Sequence, residues 1–160
     1  LPSVIKKKRW TSMLDYYGNR TRRYYAAQKL CAEIHGLGRE FMTFAAGWKG
    51  VMPVNGSLSI KPCAAFDMLE TPLKSVKGLT VSAENDAIVG VFVRTDGKKA
   101  YMITDYTVPA YRKKNRVEIK FDGAKTISVY VKGKKKTFAA ENGAIRLILS
   151  AGEGVFVIPD

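Results

Sequence analysis

From Thr21 to about Ala46, apolar residues recur at spacings of three and four: Tyr24, Ala27, Leu30, Cys31, Ile34, Leu37, Phe41 and Phe44. This spacing predicts one face of a long amphipathic helix. A turn signal at Tyr17-Gly18-Asn19 precedes it, and Asn19 or Thr21 is the candidate cap. Gly36 and Gly38 lie mid-helix, each weakening it by about 1 kcal/mol relative to Ala, so a kink is expected near Gly36.

Beyond Gly47 the period shortens to two, with turn residues at regular intervals, the pattern of short strands. Candidate strands are Leu58–Lys61, Leu79–Ala83, Ile88–Arg94, Lys99–Tyr106, Arg116–Phe121, Thr126–Val131, Lys135–Ala140, Ala144–Leu149 and Gly154–Ile158. In "RVEIKFD" Val117, Ile119 and Phe121 share one face while Glu118 and Lys120 face water, and in "AIRLILS" Ile145, Leu147 and Leu149 share another. Asp96-Gly97, Asp122-Gly123, Gly133 and Asn142-Gly143 punctuate the strands with residues that suit the positive φ of tight hairpin turns. The fold class is therefore mainly β: an antiparallel β-sandwich of eight or nine strands preceded by one long amphipathic α-helix. Trp48 to Leu73, with Pro53, Gly56, Pro62 and Pro72, keeps no period and reads as a linker packing across both parts.

Composition changes this picture little. The 160 residues are enough for one domain with a real core, burying about 70% of the unfolded surface. No run approaches the roughly 18 apolar residues of a membrane span, so no membrane partner is expected. The start, "LPSVIKKKRW", carries no export signal and no Met, which points to a processed chain or a piece of a longer one and leaves localisation open.

Charge is the feature that most favours a polyanion partner. The net charge is +13. Its excess is dispersed, however: nine Lys and Arg against three acids in residues 1–47, seven against five in 48–100, eleven against six in 101–160. The basic runs Lys6–Arg9, Arg112–Lys114 and Lys132–Lys136 stand beside aromatics, as in single-strand binders, but two of them sit in turns and read as solvated loops. A nucleic-acid partner is not expected.

Candidate chemistry is sparse. Cys31 and Cys63 form no CxxC, and with His35 the sole histidine they make too few ligands for zinc, so they read as partly buried thiols and no metal or other cofactor is expected. His35 lies mid-helix without a matched nucleophile and reads as an ordinary helical side chain. "AGEGVF" precedes a strand rather than opening a helix, so it is a turn and not a phosphate cradle. Asp15, Asp67, Glu70, Glu84 and Asp86 show no pairing in their spacing and read as surface or capping acids.

The stretch "RWTSMLDYYGNRTRRYYAAQKLCAEIHGLG" resembles the end of the catalytic domain in β-galactosidase-like (β/α)8-barrel glycoside hydrolases. There the last strand leads through an aromatic turn and a "DYYGN" loop into a final helix. Trp10, Asp15, Gly18, Thr21, Tyr24 and Tyr25 carry the likeness. "VGVFVRTDGKKAYMITDYT", "VEIKFDGAKTISVYVKGKKKTF" and "LILSAGEGVFVI" look like the small sandwich that closes such enzymes, with Gly152, Glu153 and Gly154 turning into a last apolar strand, Val155 to Ile158. Asp105 departs from the pattern, standing where the resembled sandwiches carry Asn, so contacts of that amide do not carry over.

The resemblance implies three parts: residues 1–47 as the final loop and helix of a barrel, 48–73 as the linker, and 74–160 as the C-terminal sandwich. The family's acid/base and nucleophile carboxylates lie on barrel strands four and seven, upstream of Leu1, so no catalytic residue is expected in this chain. Its expected function is that of a non-catalytic accessory region of a carbohydrate-active enzyme, with the parent catalytic barrel as partner. Tyr24, Ala27, Cys31 and Ile34 would face the barrel or the sandwich, and an orphaned helix would expose an apolar patch and self-associate or use the sandwich to cover it. The alternative is a free-standing carbohydrate-binding sandwich, with carbohydrate as partner and Trp48, Tyr111 or Tyr130 stacking on sugar rings. Trp10 would stand at the mouth of the parent's active site. A basic protein binding nucleic acid or another polyanion is the third reading.

Overall fold

The structure is a computed structural model that describes residues 12–55, 73–107 and 114–160. Trp10, Tyr111, Cys63, Asp67, Glu70, the run Lys6–Arg9, the start of Arg112–Lys114 and the candidate strand Leu58–Lys61 lie outside the described residues, as does most of the 48–73 segment.

Among the described residues one helix, α1 (Arg22–Ala45), precedes nine strands: β1 (Trp48–Val54), β2 (Leu79–Ala83), β3 (Ala87–Val93), β4 (Lys99–Asp105), β5 (Lys114–Phe121), β6 (Thr126–Val131), β7 (Lys134–Ala139), β8 (Ala144–Ser150) and β9 (Gly154–Pro159). They pair antiparallel into a six-stranded sheet, ordered β1-β3-β4-β9-β6-β7, and a three-stranded sheet, β2-β5-β8. The mainly β sandwich with a leading helix is thus present. Its strands match the alternation in the sequence to within two residues wherever they are described. Trp48–Val54 is an addition: Pro53 and Gly50 hide its period, yet it pairs with Ala87–Phe92 as an edge strand, where a missing N–H does least harm.

The alternation works as it should. Val89, Val91, Tyr101, Ile103, Ile127, Val129, Val155 and Val157 face inward from the large sheet onto Val117, Ile119, Phe121, Ile145 and Leu149 of the small one. A second, smaller core lies on the large sheet's outer face, where Leu37, Phe41 and Phe44 of α1 meet Phe92, Ala100, Tyr130, Phe156 and Ile158. Phe41 stands edge-on to both Phe92 and Phe156, at ring separations of 5.4 and 5.5 Å, a favoured geometry for aromatic quadrupoles.

The glycine-bearing turns divide into two kinds. Asp96-Gly97 and Lys132-Gly133 close hairpins within the large sheet, β3–β4 and β6–β7. Asp122-Gly123 and Asn142-Gly143 instead carry the chain from one sheet to the other, so they are corners rather than hairpins. Of these four turns, positive φ at both central residues occurs at Lys132-Gly133 (50° and 72°) and Asn142-Gly143 (52° and 76°), the mirror-image turn whose twist matches the strands.

The helix runs through Gly36 without a break: α1 is one segment of 24 residues. Gly36 is where it touches the β6–β7 turn. A Cβ on Gly36 would collide with the Gly133 carbonyl, and one on Gly133 would lie 2.6 Å from the Glu33 carbonyl oxygen. The glycine therefore spends helix propensity on a backbone-to-backbone approach that no other residue permits. Thr21 is the N-cap residue but makes no side-chain capping bond. Its hydroxyl instead donates to the Ser12 and Met13 carbonyls, tying the preceding loop to the helix.

Asp105 ends β4 as a buried carboxylate, 2% exposed. One oxygen accepts from the Thr107 hydroxyl and Asn115 Nδ2, both at 2.8 Å, and the other from the backbone N–H groups of Thr107 and Gly152, both at 3.2 Å. Asn115 Nδ2 also donates to the Asn85 and Asp86 carbonyls, while its Oδ1 accepts from Asn85 N–H. This network joins β4, β5, the β2–β3 connection and the β8–β9 turn. Where the resembled sandwiches have an amide, a carboxylate gathers donors.

Candidate functional site

The feature of the chain that most invites a partner is the first half of α1 with the loop before it. Steps of three residues (Tyr24 to Ala27, Cys31 to Ile34, Ile34 to Leu37, Phe41 to Phe44) outnumber steps of four (Ala27 to Cys31, Leu37 to Phe41). Each three-residue step turns back about 60° and each four-residue step forward about 40°, so the apolar stripe winds about 160° around the helix from Tyr24 to Phe44. Its C-terminal end lies on the sheet. Its N-terminal end does not: Leu30 and Ile34 are 57% and 56% exposed, and Cys31 is exposed as well. The expectation of a partly buried Cys31 is corrected, because the sandwich stops short of this half of the helix. His35 is also exposed.

Asp15 builds the adjoining loop. Its carboxylate accepts from the backbone N–H groups of Tyr17 and Asn19, both at 2.8 Å, and from Asn19 Nδ2 at 3.1 Å, closing a turn that Gly18 completes at φ 81°. Hydrogen bonds from the Asn19 side chain and backbone, and from the Tyr17 backbone, hold the Asp15 carboxyl below its usual 3.8. A carboxyl lowered on folding stabilises the turn in full above its unfolded value and loses that contribution as the pH falls through its folded value. The amide resonances of Tyr17 and Asn19 are therefore expected to titrate together with a midpoint below 3.8, and a midpoint at or above 3.8 would contradict these bonds.

The loop leaves Tyr16, Tyr17, Met13 and Leu14 exposed. Met13 and Leu14 with Tyr24, Ala27, Gln28 and Cys31 form an apolar groove of about 410 Å³. Arg20 lies over the Tyr24 ring at 4.7 Å, its stem covering part of that edge. No acidic residue stands in the first turn of α1, which begins with Arg22 and Arg23. Cations at the positive end of a helix dipole are unfavourable, so this end of α1 is electropositive, with Arg20 the cation placed on the groove's edge.

Of the aromatic residues singled out for sugar contact, the two described, Trp48 and Tyr130, lie apart. Trp48 is 38% exposed at the edge of the large sheet, with its ring 5.0 Å from Phe92 and lying on Gly90, where a Cβ would come within 2.9 Å of the indole. Tyr130 is 8% exposed, its ring tilted against Phe156 at 6.2 Å. Burial first, then the charge and hydrogen bond of Glu40, raise its hydroxyl pKa. Trp48 and Tyr130 sit four strands apart, about 19 Å at the usual strand spacing, so they form no shared platform.

No family model, curated protein or solved structure matches the chain. The site is therefore read from its own chemistry. Among the described residues no group of three His, Cys, Asp or Glu gathers as metal ligands would, and no helix is long and apolar enough to cross a membrane. The groove offers apolar area with Arg20 at its edge, which can hold another surface. The sequence signal that revealed it is the spacing itself: a surplus of three-residue steps winds a stripe off any flat support.

Proposed function

We propose that this chain is the non-catalytic C-terminal region of a larger carbohydrate-active enzyme, a β-galactosidase-like glycoside hydrolase, with the outward stripe of α1 docked on the catalytic barrel. The observation that carries this reading is the apolar face of Leu30, Cys31 and Ile34, continued by the half-buried Tyr24 and Ala27, which stays exposed although the sandwich packs the same helix at Leu37, Phe41 and Phe44. A helix that serves only its own sandwich has no use for that second face. The "DYYGN" loop, tied down by Asp15, supports the reading further, since it sets the entry to the helix that the resemblance makes the last of a barrel. Glycosidic hydrolysis by two carboxylates through an oxocarbenium-like transition state would then belong to the barrel, and this region would supply support and a substrate-side wall.

The test is the mass of the native protein, detected in extracts with an antibody to the "SAGEGVFVIPD" terminus. A species several times heavier than 17.7 kDa that co-fractionates with glycosidase activity is expected. A single species at that mass would overturn the proposal and favour a free-standing sugar-binding sandwich, in which Trp48 is the exposed ring to test. A companion measurement isolates the face: Ile34→Gln should change the stability of the 160-residue chain by less than about 0.5 kcal/mol, as exposed positions do, yet lower the melting temperature of the intact parent.

A further inference from the structure

A second surface, on the opposite side of α1 from the groove, has a different chemistry. Lys29 of α1 and Lys132, Lys134 and Lys136 of the β6–β7 hairpin line a trough of about 690 Å³, with Val131 in its wall and Glu33 the one acid lining it among the described residues. We propose that this trough binds the anionic groups of an acidic polysaccharide.

The lysines are gathered by construction. Two are consecutive alternate residues of β7, so they point to one side of the strand. Lys29 arrives from a different element, and the interlock of Gly36 and Gly133 fixes that element against the turn. Lys132 takes φ 50°, in a turn position that Asn, Asp and Gly fill most easily, so a cation is kept there against local preference. Blocking of a sheet edge by charge would account for Lys134 and Lys136, since β7 is an edge strand. It accounts for neither Lys29 nor Lys132. Glu153, largely covered and held by the Ser150 N–H, stands 3.5 Å from Lys132 Nζ and neutralises part of the charge, while the Lys132 side chain itself is 61% exposed and free to turn to a ligand.

The chemistry of the lining narrows the occupant. Among the described residues no aromatic lines the trough, so they supply no stacking platform of the kind that single-stranded nucleic acids use. Its cations are ammonium groups on flexible stems rather than the planar forks of Arg that match one phosphate bidentately. Mobile point charges spread along a trough suit sulfate or carboxylate groups repeating along a polymer. The choice of a saccharide rests on the reading of the chain as part of a carbohydrate-active protein, whereas the affinity for anions does not.

The experiment titrates the 160-residue chain with a sulfated dextran oligosaccharide, polygalacturonate, polyaspartate and single-stranded DNA of matched charge, each over a salt series. Binding of the two polysaccharides is expected to be the tightest and to weaken steeply with salt, as release of counterions requires. Lys29→Gln with Lys132→Gln should weaken it by about tenfold or more, while the control pair Lys77→Gln with Lys120→Gln, equal in lost charge, should leave it within about twofold. Equal losses in the two pairs would overturn the site, showing attraction by net charge alone. Tighter binding of polyaspartate or DNA would overturn the saccharide. Neither result bears on the mass of the native protein, so the failure of this inference and of the proposed function remain separable.

Discussion

Replacing Asp105 with alanine is expected to lower the stability of the chain by about 3 kcal/mol, because a buried acceptor that serves four donors disappears at once. Asn115 Nδ2 keeps the Asn85 and Asp86 carbonyls as alternatives. The Thr107 hydroxyl and the backbone N–H groups of Thr107 and Gly152 are left without the partner that the carboxylate gave them. The contrast with Asp105→Asn is the sharper probe. An amide presents one oxygen and one NH2, so whichever way it is turned a donor pair faces a donor, at a cost of about 1–2 kcal/mol. Urea unfolding should therefore rank the native chain above Asp105→Asn and that variant above Asp105→Ala, with midpoints shifting at constant slope. Equal midpoints for Asp and Asn would mean that the oxygens do not collect these donors.

Gly36→Ala is expected to reverse the sign that helix propensity assigns. In a free helix, Ala gains about 1 kcal/mol over Gly. At residue 36 the added methyl meets the backbone of Gly133, which cannot swing aside as a flexible side chain does. Separating helix and turn enough to admit it should cost about 2 kcal/mol net, within the usual range for overpacking. Gly38→Ala is the internal control. Nothing lies within 4 Å of a Cβ there, so that change should stabilise by about 0.5–1 kcal/mol. Opposite shifts in the urea midpoint for two glycines one residue apart would establish the contact, and a stabilising Gly36→Ala would remove it. The same variant would also open the lysine trough, because Lys29 and Lys132 keep their spacing through that contact.

Most of the strand content could be read from period-two alternation in segments such as Val117-Glu118-Ile119-Lys120-Phe121, since a sheet with one face buried sorts its side chains by parity. Trp48–Val54 escaped because Gly50 and Pro53 interrupt the alternation, and because an edge strand tolerates a proline that a central one would not. The helix was legible in extent but not in orientation. Tyr24 and Phe44 fit one periodic pattern, yet the winding of that pattern places them on different sides. Gly36 read as a weakness for a related reason: propensity describes a residue's neighbours in sequence, and the Gly133 backbone is no such neighbour. Tyr130 and Trp48 looked equivalent as candidate rings, but only the position of each on the sheet separates a core residue from an edge one.

Local rules therefore settled the class of fold, the extent of nearly every described element and the turn chemistry of Asn142-Gly143, because each depends on interactions between residues close in the chain. Which apolar face of α1 finds a support, which glycine is a contact, and which four lysines share a trough depended on elements that meet from distant parts of the chain. The physical reason is that packing sums over every neighbour in space. A sequence pattern specifies what a face would bury, and the folded sandwich leaves Leu30, Cys31 and Ile34 exposed while it packs on Leu37, Phe41 and Phe44.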